Sequence, residues 1–312
     1  MATLTLLVGI PGSGKSTYAK TKVNKKIKVV SSDAIRKELF FDEADQDHND
    51  IVFQTLYERA RNFLIEGKDV LIDATNSSIE NRKKALSHFE DLNIKRKAIV
   101  IETPIEKCVE YDRKRRRSVG EGIINEFAES YAFPTKEEGF DDISIVKNTE
   151  DGFMKFLKTT VLVIVKDGKI MLARKKRGFG AGLYNGVGGK VECGETVEEA
   201  MIRETKEEAN IVPVNFKKCA EINFDEFVKD EPAIVNMHIF LATDYIGTPE
   251  ETEEMAPTWF DLAKIPYSRM FPDDTYWLPE VLKGNKVKAY FKYDVNLNIL
   301  EKEIEITTED FE

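Results

Sequence analysis

The chain has 312 residues, enough for two domains, and its 42% hydrophobic content lets each half bury a core. A formal net charge of −10 argues against holding nucleic acid by bulk electrostatics. No apolar run approaches the ~18 residues that a membrane span needs. The apolar opening, residues 4–10, has no basic leader and runs straight into a glycine loop, so it is not read as a signal peptide. Three scattered cysteines, Cys108, Cys193 and Cys219, suit a reducing cytoplasm rather than a disulfide scaffold or a zinc site.

Residues 1–150 alternate strand-like and helix-like stretches, which predicts an α/β domain on a parallel sheet. Strands are expected at 3–8, 27–30, 70–72, 98–101 and 143–146, with helices at 50–66 and 81–89 among those between them. The first strand leads into Gly9-Ile10-Pro11-Gly12-Ser13-Gly14-Lys15-Ser16-Thr17, which fits the phosphate-binding pattern G-x-x-x-x-G-K-[ST]. Glycines let backbone N–H groups turn inward around phosphate oxygens, and the following helix adds partial positive charge. Lys15 reaches the β- and γ-phosphates and Ser16 ligates Mg²⁺ in such a loop.

Asp33 follows the second strand, where open α/β sheets place ligands. It is either a base accepting a proton from an attacking hydroxyl or the N-cap of a helix over 34–40. Asp73 and Asn76 end the third strand; Asp73 is a candidate for organising the metal, and Asn76 and Arg82 for contacting an acceptor, with capping as the competing role. The run Arg113-Lys114-Arg115-Arg116-Arg117 is either an exposed helix face or a lid over the transferring phosphate. Together these pieces resemble the branch of P-loop kinases that includes polynucleotide 5′-kinases. The resemblance implies ATP as phosphoryl donor, Asp33 as base, Arg36 as an acceptor-side contact, and Arg113 and Arg116 as lid arginines. It leaves the acceptor open among nucleic-acid ends, nucleosides and small alcohols.

Residues 147–152 are polar and are read as a short linker. A second domain over 155–312 is expected to be α+β with a mixed sheet. Strands over 160–165 and 169–173 flank the hairpin signal Asp167-Gly168, and 287–293 and 299–306 alternate like paired strands. One helix is expected near 197–209 and another near 277–282. Thr196 and Glu199 form a capping box at the start of the first. On that helix Glu204, Glu207 and Glu208 stand at i, i+3 and i+4 and share a face. Such a density of hard oxygen ligands suits Mg²⁺ or Mn²⁺. Arg203 lies one turn before Glu207 and is placed to orient it.

Gly189-x5-Glu195-x7-Arg203-Glu204-Thr205-Lys206-Glu207-Glu208-Ala209-Asn210-Ile211 resembles the Nudix box, with Thr205 in place of an aliphatic residue and Asn210 in place of the last glycine. Asn also adopts the left-handed conformation readily, so the helix is still expected to end there. The resemblance implies a Nudix fold, metal-assisted hydrolysis of a nucleoside diphosphate linkage, and Glu204, Glu207 and Glu208 as ligands or base.

The likeness to the oxidised-purine nucleoside triphosphatases extends from about residue 160 to 306. It is carried by Lys175-Lys176-Arg177-Gly178-Phe179-Gly180, Asn185-Gly186-Val187-Gly188-Gly189, Gly247-Thr248-Pro249, Glu253-Glu254-Met255, Trp259-Phe260, Phe271-Pro272-Asp273-Asp274 and Tyr276-Trp277. It implies a purine sandwiched by Phe179 and Phe271, with Asn185, Asp273 and Asp274 reading its edge and Thr160 and Lys175 lining the pocket. One of the two adjacent acids would be protonated and so able to donate. Gly188 and Glu254 join the three box glutamates on the metal side. Phe271 stands where the family usually has tryptophan, and Asn236 where it often has aspartate. The expected activity is Mg²⁺-dependent cleavage of 8-oxo-dGTP-type triphosphates to monophosphate and pyrophosphate, in the cytoplasm and without a membrane partner. Two alternatives stand beside it: nucleic-acid end processing, with Nudix action on a capped RNA or a dinucleotide, and a nucleotide-sensing regulator with a non-catalytic P-loop.

Overall fold

The computed structural model describes residues 1–312 except 44, 116–117, 229–230 and 312. The chain divides into two units, Met1–Lys155 and Phe156–Glu312. In the first, β1 (Thr3–Val8), β2 (Ile27–Ser31), β3 (Asp69–Asp73), β4 (Lys95–Glu102) and β5 (Asp142–Thr149) form a parallel sheet in the order β2-β3-β1-β4-β5. Parallel strands are joined by helical crossovers, here α1 (Lys15–Lys22), α2 (Ser32–Phe40), α3 (Asn49–Ile65), α4 (Ile79–Ser87), α5 (Ile105–Arg113) and α6 (Glu121–Glu129). Both faces are covered, as parallel sheets require. Leu4, Leu6 and Val8 pack with Val52, Leu56 and Phe89, while Leu7 packs on the other side with Tyr18, Leu71 and Ile101. The turns that follow β1, β2, β3 and β4 therefore gather at the carboxyl edge of the sheet, the usual ligand edge.

Residues 147–152, read above as a linker, differ from that expectation. They are the end of β5, a turn at Glu150-Asp151 and the start of β6 (Gly152–Lys166). Their polarity marks half-exposed strand ends rather than loose chain.

The second unit continues with β7 (Lys169–Lys175), β8 (Tyr184–Asn185), α7 (Val197–Ala209), β9 (Ile211–Val228), β10 (Glu231–Gly247), β11 (Met255–Asp261), α8 (Asp274–Leu282), β12 (Lys286–Tyr293) and β13 (Ile299–Thr307). β6 and β7 meet across Asp167-Gly168, where both residues have positive φ (51° and 73°), the tight hairpin geometry that this pair favours. β9 pairs antiparallel with β10 and parallel with β12, so the sheet is mixed. The helices bracket it. Met201 and Ala209 of α7 pack on Leu162, Ile164 and Met171; Trp277, Leu278 and Val281 of α8 pack with Val161, Val163 and Leu172. Among the described residues no helix is long and apolar enough to cross a membrane.

Candidate active sites

The loop after β1 turns sharply because Gly12 has φ of 84° and lies so close to α5 that an added Cβ would meet the Cys108 carbonyl at 2.3 Å. Lys15 is buried, and its Nζ donates to the carbonyls of Gly9 (2.7 Å) and Ile10 (2.8 Å). Burial pushes its pKa down to about 8, against the opposing charge of Asp73. Asp73 is also buried, which raises its pKa, and it accepts hydrogen bonds from the hydroxyls of Ser16 and Ser31. Ser13 is buried with its hydroxyl unpaired, Gly14 caps α1 in a left-handed conformation, and Thr17 lies in that helix. Backbone donors, a cation, a hydroxyl and a carboxylate thus converge on one loop, which suits a Mg²⁺-bound polyphosphate.

Asp33 is not the cap of α2; Ser31 holds that position. The Asp33 carboxylate is exposed and pairs with Arg36 at 2.8 Å, while Arg36 is buried, donates to Asn49 at 2.7 Å, and has an unpaired Nε. Arg82, expected as an acceptor contact, is engaged inside the fold. It is fully buried and bidentate to Glu138 (2.7 and 2.8 Å), and it also donates to the carbonyls of Asn76 and Ala132. Asn76 uses its amide to bridge to the Leu7 carbonyl at 2.8 Å. Of the basic run, Arg113 is exposed and pairs with Glu121, and Arg116 lies outside the described residues. Arg115, which the sequence did not single out, is close enough for its charge to lower the pKa of Lys15.

In the second unit the capping box forms as expected, with Glu199 N donating to Thr196 Oγ1 (3.2 Å) and Thr196 N to Glu199 Oε2 (2.8 Å), and Asn210 ends α7 at φ 58°. Thr205 is fully buried, and its hydroxyl is satisfied by donating to the Met201 carbonyl at 2.7 Å. Glu204 turns toward the glycine loop, where a Cβ on Gly189 would lie 2.4–2.6 Å from its carboxylate atoms. Glu208 is buried and accepts from Gly188 N at 2.9 Å. Burial pushes its pKa up to about 7, with Glu204 and Glu254 adding repulsion; burial also raises Glu204. Glu207 is 60% exposed. Arg203 ties the group together, donating to Glu195 (2.6 and 3.1 Å), Glu204 (2.9 Å), Glu207 (3.3 Å) and the Lys190 carbonyl (3.0 Å). Glu254 is paired with Arg177, and Lys175 lies close enough to oppose the rise at Glu208. Among the described residues no three acidic, His or Cys side chains form a ready-made metal cage. Buried Glu208 and half-buried Glu204, both resisting ionisation beside a glycine loop, nevertheless fit a hard divalent cation, which would relieve their repulsion.

Thr160 on β6 is buried with its hydroxyl unpaired, and its backbone N–H donates to the Gly189 carbonyl at 2.8 Å. Asn185 Oδ1 accepts from Gly186 N. Phe179, 48% exposed, stacks directly on Phe271 with centroids 5.7 Å apart. A base between two rings needs roughly 7 Å, two contact distances of ~3.5 Å, so the expected sandwich would require the pair to part. Asp273 is buried, accepting from Tyr293 Oη (2.6 Å) and Trp277 Nε1 (3.0 Å), while buried Asp274 accepts from Phe271 N (3.0 Å). Burial holds Asp274 well above the carboxylate range, with the charge on Asp273 adding to the rise, and burial raises Asp273 as well, so the pair resists losing both protons.

Among solved structures, a MutT protein from Bacillus halodurans is 22% identical with a TM-score of 0.44, over 48% of this chain and 97% of that one. The domain family described as AAA domain matches residues 4–134, and that described as NUDIX domain matches residues 156–281. The oxidized purine nucleoside triphosphate hydrolase of Danio rerio is 42% identical over 146 residues, 47% of this chain and 92% of the relative. That of Mus musculus is 43% identical over 141 residues, 45% of this chain and 89% of the relative. The chain belongs to the Nudix hydrolase family. It joins a P-loop, kinase-like domain to the Nudix hydrolase domain, and it is an enzyme.

Within the Nudix unit, two features were not foreseen. Tyr293 anchors Asp273 from β12, twenty residues away, a contact that no local motif encodes. Glu226 on β9 has its pKa pushed up to about 7 by burial and then by the charge of Asp273. It follows Phe224 by two positions, so strand alternation puts it on the face where Phe224 stacks on Tyr293.

Proposed function

We propose that the Nudix unit hydrolyses 8-oxo-dGTP and related oxidised purine nucleoside triphosphates to the monophosphate and pyrophosphate, with Mg²⁺ or Mn²⁺. The observation that carries this reading is the buried Asp273/Asp274 pair beside Phe271, two adjacent carboxyls anchored by Tyr293, Trp277 and the Phe271 backbone, where burial disfavours ionising both. A neutral acid donates where a carboxylate only accepts, and 8-oxidation changes the donor and acceptor pattern that a purine presents. The unpaired Thr160 hydroxyl and the Asn185 amide are the further polar groups for that base, and the Lys175 charge lies near Glu208. The two relatives named above are called oxidized purine nucleoside triphosphate hydrolases, which supports the same substrate class.

Glu204 and Glu208 would hold the cation, with Glu207, Glu254 and the Gly188 backbone completing the set. When bound, the divalent ion neutralises the pyrophosphate and makes its phosphorus easier for water to attack. Arg203 fixes the orientation of Glu204 and Glu207, and a box glutamate takes the proton of the attacking water. Steady-state hydrolysis tests the substrate claim: kcat/KM for 8-oxo-dGTP should exceed that for dGTP by about tenfold or more, as expected when a site pairs polar groups with one base and leaves them unpaired with the other. Equal values would remove it.

The P-loop unit reads as an ATP-dependent kinase acting on a hydroxyl. Asp33, exposed beside the loop and oriented by Arg36, is the base; Lys15 and Ser16 engage the phosphates and Mg²⁺; Arg115, rather than Arg113, is the lid arginine the geometry favours. An apolar cleft of about 640 Å³, lined by Gly9, Ile10, Pro104, Tyr111, Tyr131 and Asn148 among others, suits the donor base. Loss of γ-phosphate transfer in Asp33→Ala, with ATP still bound, is expected; unchanged transfer rejects Asp33 as base.

A further inference from the structure

A second cleft in the P-loop unit, of about 700 Å³, is lined by residues of α3 and α4 and by Thr75 and Asn76 after β3. It adjoins the kinase groups through a short chain of contacts. Asp33 pairs with Arg36, Arg36 donates to Asn49, and Asn49 lines the cleft. The Arg36 guanidinium also lies 6.0 Å over the ring of Phe53, another lining residue. Arg36 is more than nine-tenths buried, yet its Nε has no partner. A buried guanidinium N–H without an acceptor is costly, and a ligand oxygen would satisfy it.

The lining narrows the class of ligand. Phe53, Tyr57 and His88 give it an aromatic wall; Tyr57 is buried and stacks under His88 at 4.2 Å and 21°. Burial and Lys84 lower the pKa of His88, so the ring is neutral near pH 7. The charged lining residues balance, Asp50 and Glu58 against Arg61 and Lys84, and Arg61 is already bidentate to Asp91. A nucleic-acid strand is held by a positive groove that tracks its phosphates, and this cleft has no such excess. Its volume falls in the small-molecule range of ~300–1,000 Å³.

Resting on the kinase reading above, we propose that the acceptor of the P-loop unit is a free nucleoside, its ring stacked on Phe53 and His88 and its sugar hydroxyl directed to Asp33, rather than the end of a nucleic-acid strand. In the transfer step the nucleoside oxygen bonds to the γ-phosphorus of ATP and the bond from that phosphorus to the β,γ-bridging oxygen breaks. The hydroxyl proton passes to the Asp33 carboxylate and ADP leaves.

The test offers the intact chain γ-labelled ATP with a panel of ribo- and deoxyribonucleosides or with 5′-hydroxyl oligonucleotides. Label on a nucleoside, with higher kcat/KM than on any oligonucleotide, is expected. Phe53→Leu and His88→Ala should raise the nucleoside KM about tenfold, the scale of one stacked base, with kcat little changed. Unchanged ATP binding by the P-loop unit shows that this unit is still folded in the variants. Preferred labelling of oligonucleotide ends overturns the proposal while leaving the kinase reading standing. If no acceptor is labelled, nucleoside binding measured by titration calorimetry in the presence of ADP separates the two. Binding weakened by His88→Ala keeps the cleft assignment and rejects the kinase reading, and no binding rejects the cleft.

Discussion

In the P-loop unit the phosphate site is made of backbone turned inward by Gly12, plus one buried cation that bonds to its own loop until a ligand arrives. In the Nudix unit it is made of carboxylates on one helix, two of them, Glu204 and Glu208, pressed against a glycine loop, with Arg203 partly compensating Glu204. Burial acts on both with opposite sign: it lowers Lys15 to about 8 and raises Glu208 to about 7. Each site therefore carries an electrostatic debt that only a partner of a particular charge relieves. A polyphosphate would restore the charge on Lys15, and a divalent cation would restore it on Glu208.

The largest expected effect comes from separating the two. Glu204→Gln keeps the shape of the side chain but removes a ligand charge, and it should cut 8-oxo-dGTP hydrolysis by about 10²–10⁴-fold. Lys15→Ala should leave that rate within about twofold, because the two sites are built from different residues in separate units, and abolish γ-phosphate transfer instead. Steady-state assays of both reactions on both variants check this. A loss of hydrolysis in Lys15→Ala would break the comparison by joining the sites.

A second effect concerns stability. Arg82 and Glu138 are buried partners, so Arg82→Ala leaves an unpaired carboxylate and should cost about 3–5 kcal/mol in the unfolding of the P-loop unit. Urea unfolding of the intact chain reads this as an early transition. An acceptor-binding arginine would instead raise KM with the transition unmoved.

The smallest effect sharpens the electrostatic point within the Nudix unit. The pKa of Glu226 is raised in the fold from the ordinary 4.5 to about 7, so the folded chain binds its proton more tightly than the unfolded chain does. Its stabilising contribution is present below about pH 4.5 and is lost as pH rises through about 7. Glu226→Gln should therefore stabilise the unit at pH 8 by on the order of 1 kcal/mol after solvent screening, and leave it unchanged near pH 4.5. Thermal unfolding at the two pH values measures the difference.

Local chemistry was legible in the sequence. The strand and glycine loop at the start, the Asp167-Gly168 turn, the capping box of α7 and its Asn210 stop depend on neighbours within a few residues, and each takes the expected form. Contacts made across the chain were not. Arg82 looked like a ligand-facing arginine because its partner Glu138 lies 56 residues on. Asp273 carries no local sign of Tyr293, and the long β9–β10 ladder mixes charged and apolar residues without a pattern clear enough to read. Phe179 and Phe271 were legible as a pair but not as a pair in direct contact, since side-chain collapse depends on packing.

On the proposed reading the two sites cut different bonds, and this gives the most direct test of the Nudix assignment. The intact chain is incubated with Mg²⁺ and 8-oxo-dGTP labelled at the γ-phosphorus, and the products are separated. Label recovered in pyrophosphate, together with the oxidised monophosphate, is the predicted result. Label recovered in orthophosphate, with the diphosphate accumulating, would contradict it.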